Sequence, residues 1–119
     1  MHRYYISLLL KSTVGFFVLI NLATANTLLG AGLTRCGQYM QFAQQSPEIS
    51  RTIDSWALGY LSGVNFIFYT SKGIDLLSDQ NSEKITAFIQ GYCKASPLKN
   101  VTEAANEYWF NLAERTRRK

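Results

Sequence analysis

Two cysteines, Cys36 and Cys93, stand 57 positions apart in this 119-residue chain, and what they do depends on the compartment the chain reaches. The N-terminus addresses that question. Residues 1–11 carry two cations, Arg3 and Lys11, and no acid. Val14 to Ala23 is apolar except for Gly15 and Asn21, and Ala23-Thr24-Ala25 places small residues at the −3 and −1 positions of a cleavage site. That is the three-part pattern of an export signal, with cleavage expected between Ala25 and Asn26. The apolar run is about a dozen residues, short of the roughly 20 that span a bilayer. An uncleaved anchor over Ile6 to Ala25, tolerating Lys11, is the competing reading. The large cation Arg35 before Cys36 argues against a lipid-modified cysteine. Export places the mature chain in the periplasm or outside the cell, where thiols oxidise, so Cys36 and Cys93 are expected to form one intrachain disulfide. Closing a loop of that length is worth roughly 4 kcal/mol in the chain-entropy model, a large share of the stability of so small a domain. A redox-active pair would instead favour neighbouring cysteines with a lowered pKa.

The charge distribution narrows the partners. Residues 26–119 hold ten Lys+Arg and eight Asp+Glu, but Arg115, Arg117, Arg118 and Lys119 crowd into the last five positions. The body, 26–114, has six cations and eight anions, so the basic balance of the whole chain does not describe a basic folded surface. No Lys/Arg stripe with interleaved aromatics is present, which argues against nucleic acid as a partner. Residues 115–119 read as a basic, solvated, frayed tail. The expected organisation is a signal peptide over 1–25, one domain over 26–114 and this tail.

Within the domain the apolar residues recur at helical spacing throughout. Cys36, Tyr39, Met40 and Ala43 predict a short helix ending before Ser46-Pro47. That dipeptide, followed by Glu48, starts the next helix. Its apolar stripe is Ile53, Trp56, Ala57, Tyr60, Leu61, Val64, Ile67 and Phe68, and 17 residues between Asp54 and Lys72 carry no charge. Gly59, Ser62 and Gly63 predict close approach of a neighbouring backbone, so this helix is expected at the centre of the domain. A membrane span is the alternative that the G-x-x-x-G spacing raises. Gly73 predicts the helix stop and 71–82 a connection. A third helix, capped by Asn81 or Ser82, carries Ile85, Phe88, Ile89, Tyr92 and Cys93. Ser96-Pro97 is expected to end it and to begin the fourth, with Leu98, Val101, Ala104, Ala105, Tyr108 and Leu112 as its stripe. Nothing alternates with period two for long enough to form a strand. The expected fold is all-α, a compact four-helix domain braced by a Cys36–Cys93 disulfide.

Little catalytic chemistry is left to such a domain. The only histidine, His2, lies in the signal, which removes Ser-His-Asp and Cys-His catalysis and His-containing zinc sites. Both thiols are committed to the disulfide, so no metal site and no cofactor is expected. Glu103 and Glu107, four apart, or Asp75 and Asp79, could act as paired carboxylates only across a cleft. A solvated helix face and turn capping account for the same residues. Asp75, Ser78, Asp79 and Asn81 lack the glycine and closing glutamate of a dedicated calcium loop. Asn100-Val101-Thr102 is a glycosylation sequon, but helix capping explains it equally.

Aromatic residues are the remaining resource. Tyr108, Trp109 and Phe110 are consecutive and point about 100° apart on a helix, so at least one belongs at the surface. Exposed aromatics are common anchors for protein partners. The candidate partner-binding residues are Phe66, Tyr69, Trp109 and Phe110, with completion of a small core as their other use.

These residues also carry a resemblance. The stretch Trp56-Ala57-Leu58-Gly59-Tyr60-Leu61-Ser62-Gly63, Pro97 and the Ala104-Ala105 pair resemble the immunity proteins that neutralise type VI secretion amidases. The plan of about 90 exported, mostly helical residues with one long-range disulfide is similar to HdeA-type acid-stress chaperones, which carry many more charged residues. The first resemblance implies a non-enzymatic module that occludes a secreted effector or envelope component. The second implies a periplasmic holder of unfolded clients under acid stress. In either case the partner is another protein, a second copy of the chain included, and the membrane is met only during export.

Overall fold

The computed structural model describes residues 29–119. The export-signal reading and the cleavage site at Ala25 lie outside these residues. The described chain is entirely helical: a 3-10 turn at Ala31–Leu33, then α1 (Cys36–Gln45), α2 (Pro47–Lys72), α3 (Ser82–Ala95) and α4 (Val101–Arg117). No strand occurs among the described residues, the only ladder contact being an isolated bridge between Arg35 and Asn100.

Local chemistry sets most boundaries. Pro47 has no N–H to donate and pushes Ser46 out of the helical region, to φ −144° and ψ 70°, so α1 turns into α2 with no loop between them. At the far end of α2, Gly73 adopts φ +70° and its N–H donates to the Tyr69 carbonyl, a left-handed cap that strains any residue with a Cβ. Asn81 caps α3 by accepting from the Lys84 N–H at 2.9 Å. Asn100 and Glu103 form a reciprocal capping box at the start of α4, so helix capping does account for Asn100 of the sequon.

The fourth helix does not begin at Pro97, as the sequence pattern predicts. Pro97 to Lys99 form a turn, Leu98 is 82% exposed, and α4 starts four residues later at Val101. Long-range bonds compete successfully with the local start signal. The Lys99 carbonyl accepts from the Cys36 N–H at 2.8 Å, the Pro97 carbonyl accepts from the Gly37 N–H at 2.9 Å, and the Val101 N–H donates to Thr34 at 3.1 Å. A helix running through Pro97 would turn those carbonyls along its own axis and orphan the first N–H groups of α1. Beside this junction the Cys36–Cys93 disulfide joins two fully buried residues with Cα atoms 4.5 Å apart.

The core lies between α2 and the other three helices. Ile53, Ala57 and Leu61 of α2 meet Tyr39, Ile85, Ile89, Val101, Ala104, Ala105, Tyr108 and Leu112, with Leu76 plugging the end from the α2–α3 connection. Trp56, Tyr60, Val64 and Phe68 are half-buried, whereas Ile67, expected in the same stripe, is 68% exposed. The Tyr60 hydroxyl donates to Asn106 at 2.7 Å, and the Phe68 and Trp109 rings meet edge to face at 5.5 Å. The partners rise together in sequence, so α2 and α4 run parallel.

The segment before α1 seals one end of the core. The turn Ala31–Leu33 lies across Trp56 and the start of α4, and the Thr102 hydroxyl donates to the Gly32 carbonyl at 2.9 Å. A Cβ on Gly32 would lie 2.0 Å from the Trp56 ring and 2.4 Å from Thr102 Oγ1, so only hydrogen fits there. Trp56 in turn stacks on Tyr60 at 5.3 Å.

Candidate interaction surface

Three of the four aromatic candidates are exposed. Phe66 is 66%, Tyr69 53% and Phe110 64% accessible to solvent. Trp109 is not available: it is 8% exposed and packs against Phe68 in the core. The 100° offset between consecutive helical residues explains the split, since Tyr108 and Trp109 both fall within the buried arc of α4 and Phe110 is carried past it. Ile67 and Phe110, the immediate neighbours of the Phe68–Trp109 pair in sequence, are both exposed, so apolar surface flanks the ring contact on each helix.

The small residues of α2 are placed opposite to expectation. Gly59, Ser62 and Gly63 face solvent, and a Cβ built on either glycine meets nothing within 4 Å. Among the described residues no neighbouring element uses the gap. Together with Ser55, Phe66 and Thr70 these residues form the outward face of α2, a strip of nearly five helical turns without a formal charge between Asp54 and Lys72. An exposed helix face ordinarily carries charged or strongly polar side chains. No helix among the described residues is long and apolar enough to cross a membrane.

Three of the four carboxylates considered for catalysis are held in structural roles, and the fourth, Glu107, is exposed on α4. Glu103 accepts from the Asn100 N–H and pairs with Lys99 at 3.0 Å; the Lys99 hydrogen bond, followed by that backbone N–H, pulls its carboxyl below the ordinary value. Asp75 accepts from the Asn65 amide at 2.8 Å and the Leu77 N–H at 3.0 Å, while Asn65 Oδ1 accepts from the Leu76 N–H, so an α2 side chain clips the connection in place. Asp79 accepts from Gln80 at 2.6 Å, a bond that lowers its pKa. Asp75, Ser78 and Asp79 border a cleft of about 240 Å³ whose far wall is Arg115 and Lys119 of the α4 end. Among the described residues no group of three or more His, Cys, Asp or Glu side chains is close enough to hold a metal ion. The basic segment is less frayed than expected, because α4 continues through Arg115 to Arg117, where Arg117 pairs with Glu114 at 2.7 Å.

Two buried tyrosines complete the electrostatics. The Tyr39 hydroxyl, inside the core, donates to Asp54 at 2.5 Å; burial first, and then the Asp54 carboxylate, push its pKa far above that of an exposed phenol. Tyr108 donates to Gln80 and is raised by burial. Neither bond is foreseeable from spacing, since each links residues on different elements. An apolar stripe containing tyrosine, with an acid or amide on the facing element, is the only signal available. No protein-family model, curated protein or solved structure matches the chain.

Proposed function

We propose that this chain is an exported, non-enzymatic binding module that acts on another protein by occlusion, in the manner of an immunity or inhibitor protein covering the functional site of a secreted effector or envelope component. One observation carries the reading: the apolar side chains that the core leaves over, Phe66, Ile67, Tyr69 and Phe110, lie on long helices of a disulfide-braced domain. Rigid aromatic anchors lose little freedom on binding, which is what an occluding surface requires. The structural work done by Glu103, Asp75 and Asp79 supports a role without bond-making chemistry.

The test is capture of a partner from an envelope extract, identification, and titration of the purified pair with the wild-type protein and with Phe66→Asp, Tyr69→Asp and Phe110→Asp in turn. At least one of the three is expected to weaken binding tenfold or more, the size of a hot-spot loss. Equal affinity for all three variants defeats the reading. Dye binding and client holding that appear only near pH 2 to 3 would replace it with an acid-stress chaperone.

A further inference from the structure

We infer that the outward face of α2 is covered by the same face of a second copy, in an antiparallel pair whose two-fold axis crosses that face at the level of residues 64–65. This pairing rests on the reading of Phe66, Ile67 and Tyr69 as protein-binding anchors and names a second copy as what they meet, leaving Phe110 for a different protein. Along the exposed strip the residues divide by size. The first half is small: Ser55, Gly59, Ser62 and Gly63. The second half carries the bulk, in Phe66, Ile67 and Tyr69, with the smaller Thr70 and Ser71 beside them. Such a face fits itself in one direction only. Laid parallel, bulk meets bulk and hollow meets hollow. Laid antiparallel, each bulky half lies over the partner's small half.

Helix geometry makes the match specific. Residues 59, 62, 63 and 66 have the i, i+3, i+4, i+7 spacing of a hole between helical ridges. An antiparallel partner centred near 64–65 brings its Phe66 into that hole, with Tyr69 beside Ser62, Ile67 beside Gly63 and Thr70 over Gly59. The two-fold operation repeats every contact, as an isologous interface demands. Among the described residues nothing lies within 4 Å of a Cβ on Gly59 or Gly63, so the hollow is open. The pairing also sets no charge against a like charge, because residues 55–71 carry none.

The area sets the strength. Taking aromatic side chains at roughly 150–250 Å² each, the exposed parts of Phe66, Ile67 and Tyr69 come to about 300 Å² per copy. The bared backbone and small side chains add about as much again, so a pair buries on the order of 1,000 Å² in total, the lower edge of specific interfaces. A reversible dimer in the micromolar range is the result. Phe110, on α4, remains free to meet a different protein.

Sedimentation velocity on the purified protein over a micromolar concentration series tests the pairing. The wild type is expected to pass from monomer to dimer. Gly63→Leu, which fills the hole without touching the monomer's own core, is expected to weaken association more than tenfold while leaving the helical spectrum and melting intact. Orientation is read by oxidising an equimolar mixture of Gly59→Cys and Thr70→Cys proteins: the mixed pair cross-links, and Gly59→Cys alone does not. A chain that stays monomeric throughout, a Gly63→Leu variant that still dimerises, or efficient cross-linking of Gly59→Cys to itself overturns the inference. A monomer that still binds a captured partner through Phe110 would defeat the dimer and leave the occlusion reading standing.

Discussion

Gly32 and the pair Gly59/Gly63 are the same residue in opposite circumstances. At Gly32 the Trp56 ring and the Thr102 hydroxyl press so close that a single methyl would collide with both. At Gly59 and Gly63 a methyl would meet open space. The first glycine is consumed by the chain's own packing. The other two loosen a helix that would gain from alanine, and no contact among the described residues compensates. The difference separates what this domain needs to fold from what it holds in reserve for contact with something else.

Breaking the crowded end has the largest expected effects. Replacing Cys36 and Cys93 together by serine, or reducing the bridge, should cost roughly 4 kcal/mol in urea unfolding, from loop-closure entropy alone. Gly32→Ala should cost about 1–3 kcal/mol, because the methyl must displace a tryptophan ring and a hydroxyl whose bond to Gly32 is buried. If it is neutral in the same assay, the Ala31–Leu33 turn is not part of the cooperative fold. Tyr39→Phe should cost about 1–2 kcal/mol by leaving Asp54 without its donor. The same tyrosine fixes an alkaline limit. Its folded pKa is raised above the unfolded value of 10.0, so its contribution is complete below pH 10 and is lost as pH climbs beyond it. Wild-type stability should therefore fall from pH 10 upward, and Tyr39→Phe should flatten that fall. At the open face the sign reverses. Gly59→Ala and Gly63→Ala should each stabilise the monomer by roughly 0.5–1 kcal/mol, read from thermal melts at concentrations too low for association. Destabilisation there would erase the contrast.

What could be read from the sequence was local or forced by elimination. Ser46-Pro47, Gly73, Asn81 and Asn100 act through backbone groups a few residues away, so their helix boundaries are legible without the fold. The disulfide is legible because two cysteines leave one intrachain pairing. Pro97 misleads for the converse reason: bonds from Cys36 and Gly37, about 60 residues earlier in the sequence, claim the carbonyls that a helix start would have used. Periodicity also does not say which half-buried positions the neighbours will reach, which is why Trp109 turned inward and Ile67 outward. Gly59 and Gly63 were recognisable as an invitation to close packing. That the chain leaves the invitation open could be learned only from the arrangement of the other helices.

The bridge between Cys36 and Cys93 makes most of the domain a covalent ring that contains α1, α2 and nearly all of α3, with α4 hanging outside it. A protease that nicks the exposed connection between Gly73 and Asn81 therefore releases nothing. The clipped product migrates as one molecule until a reductant opens it, and α2, on the far side of the nick from α4, stays tethered to the rest through a single sulfur–sulfur bond.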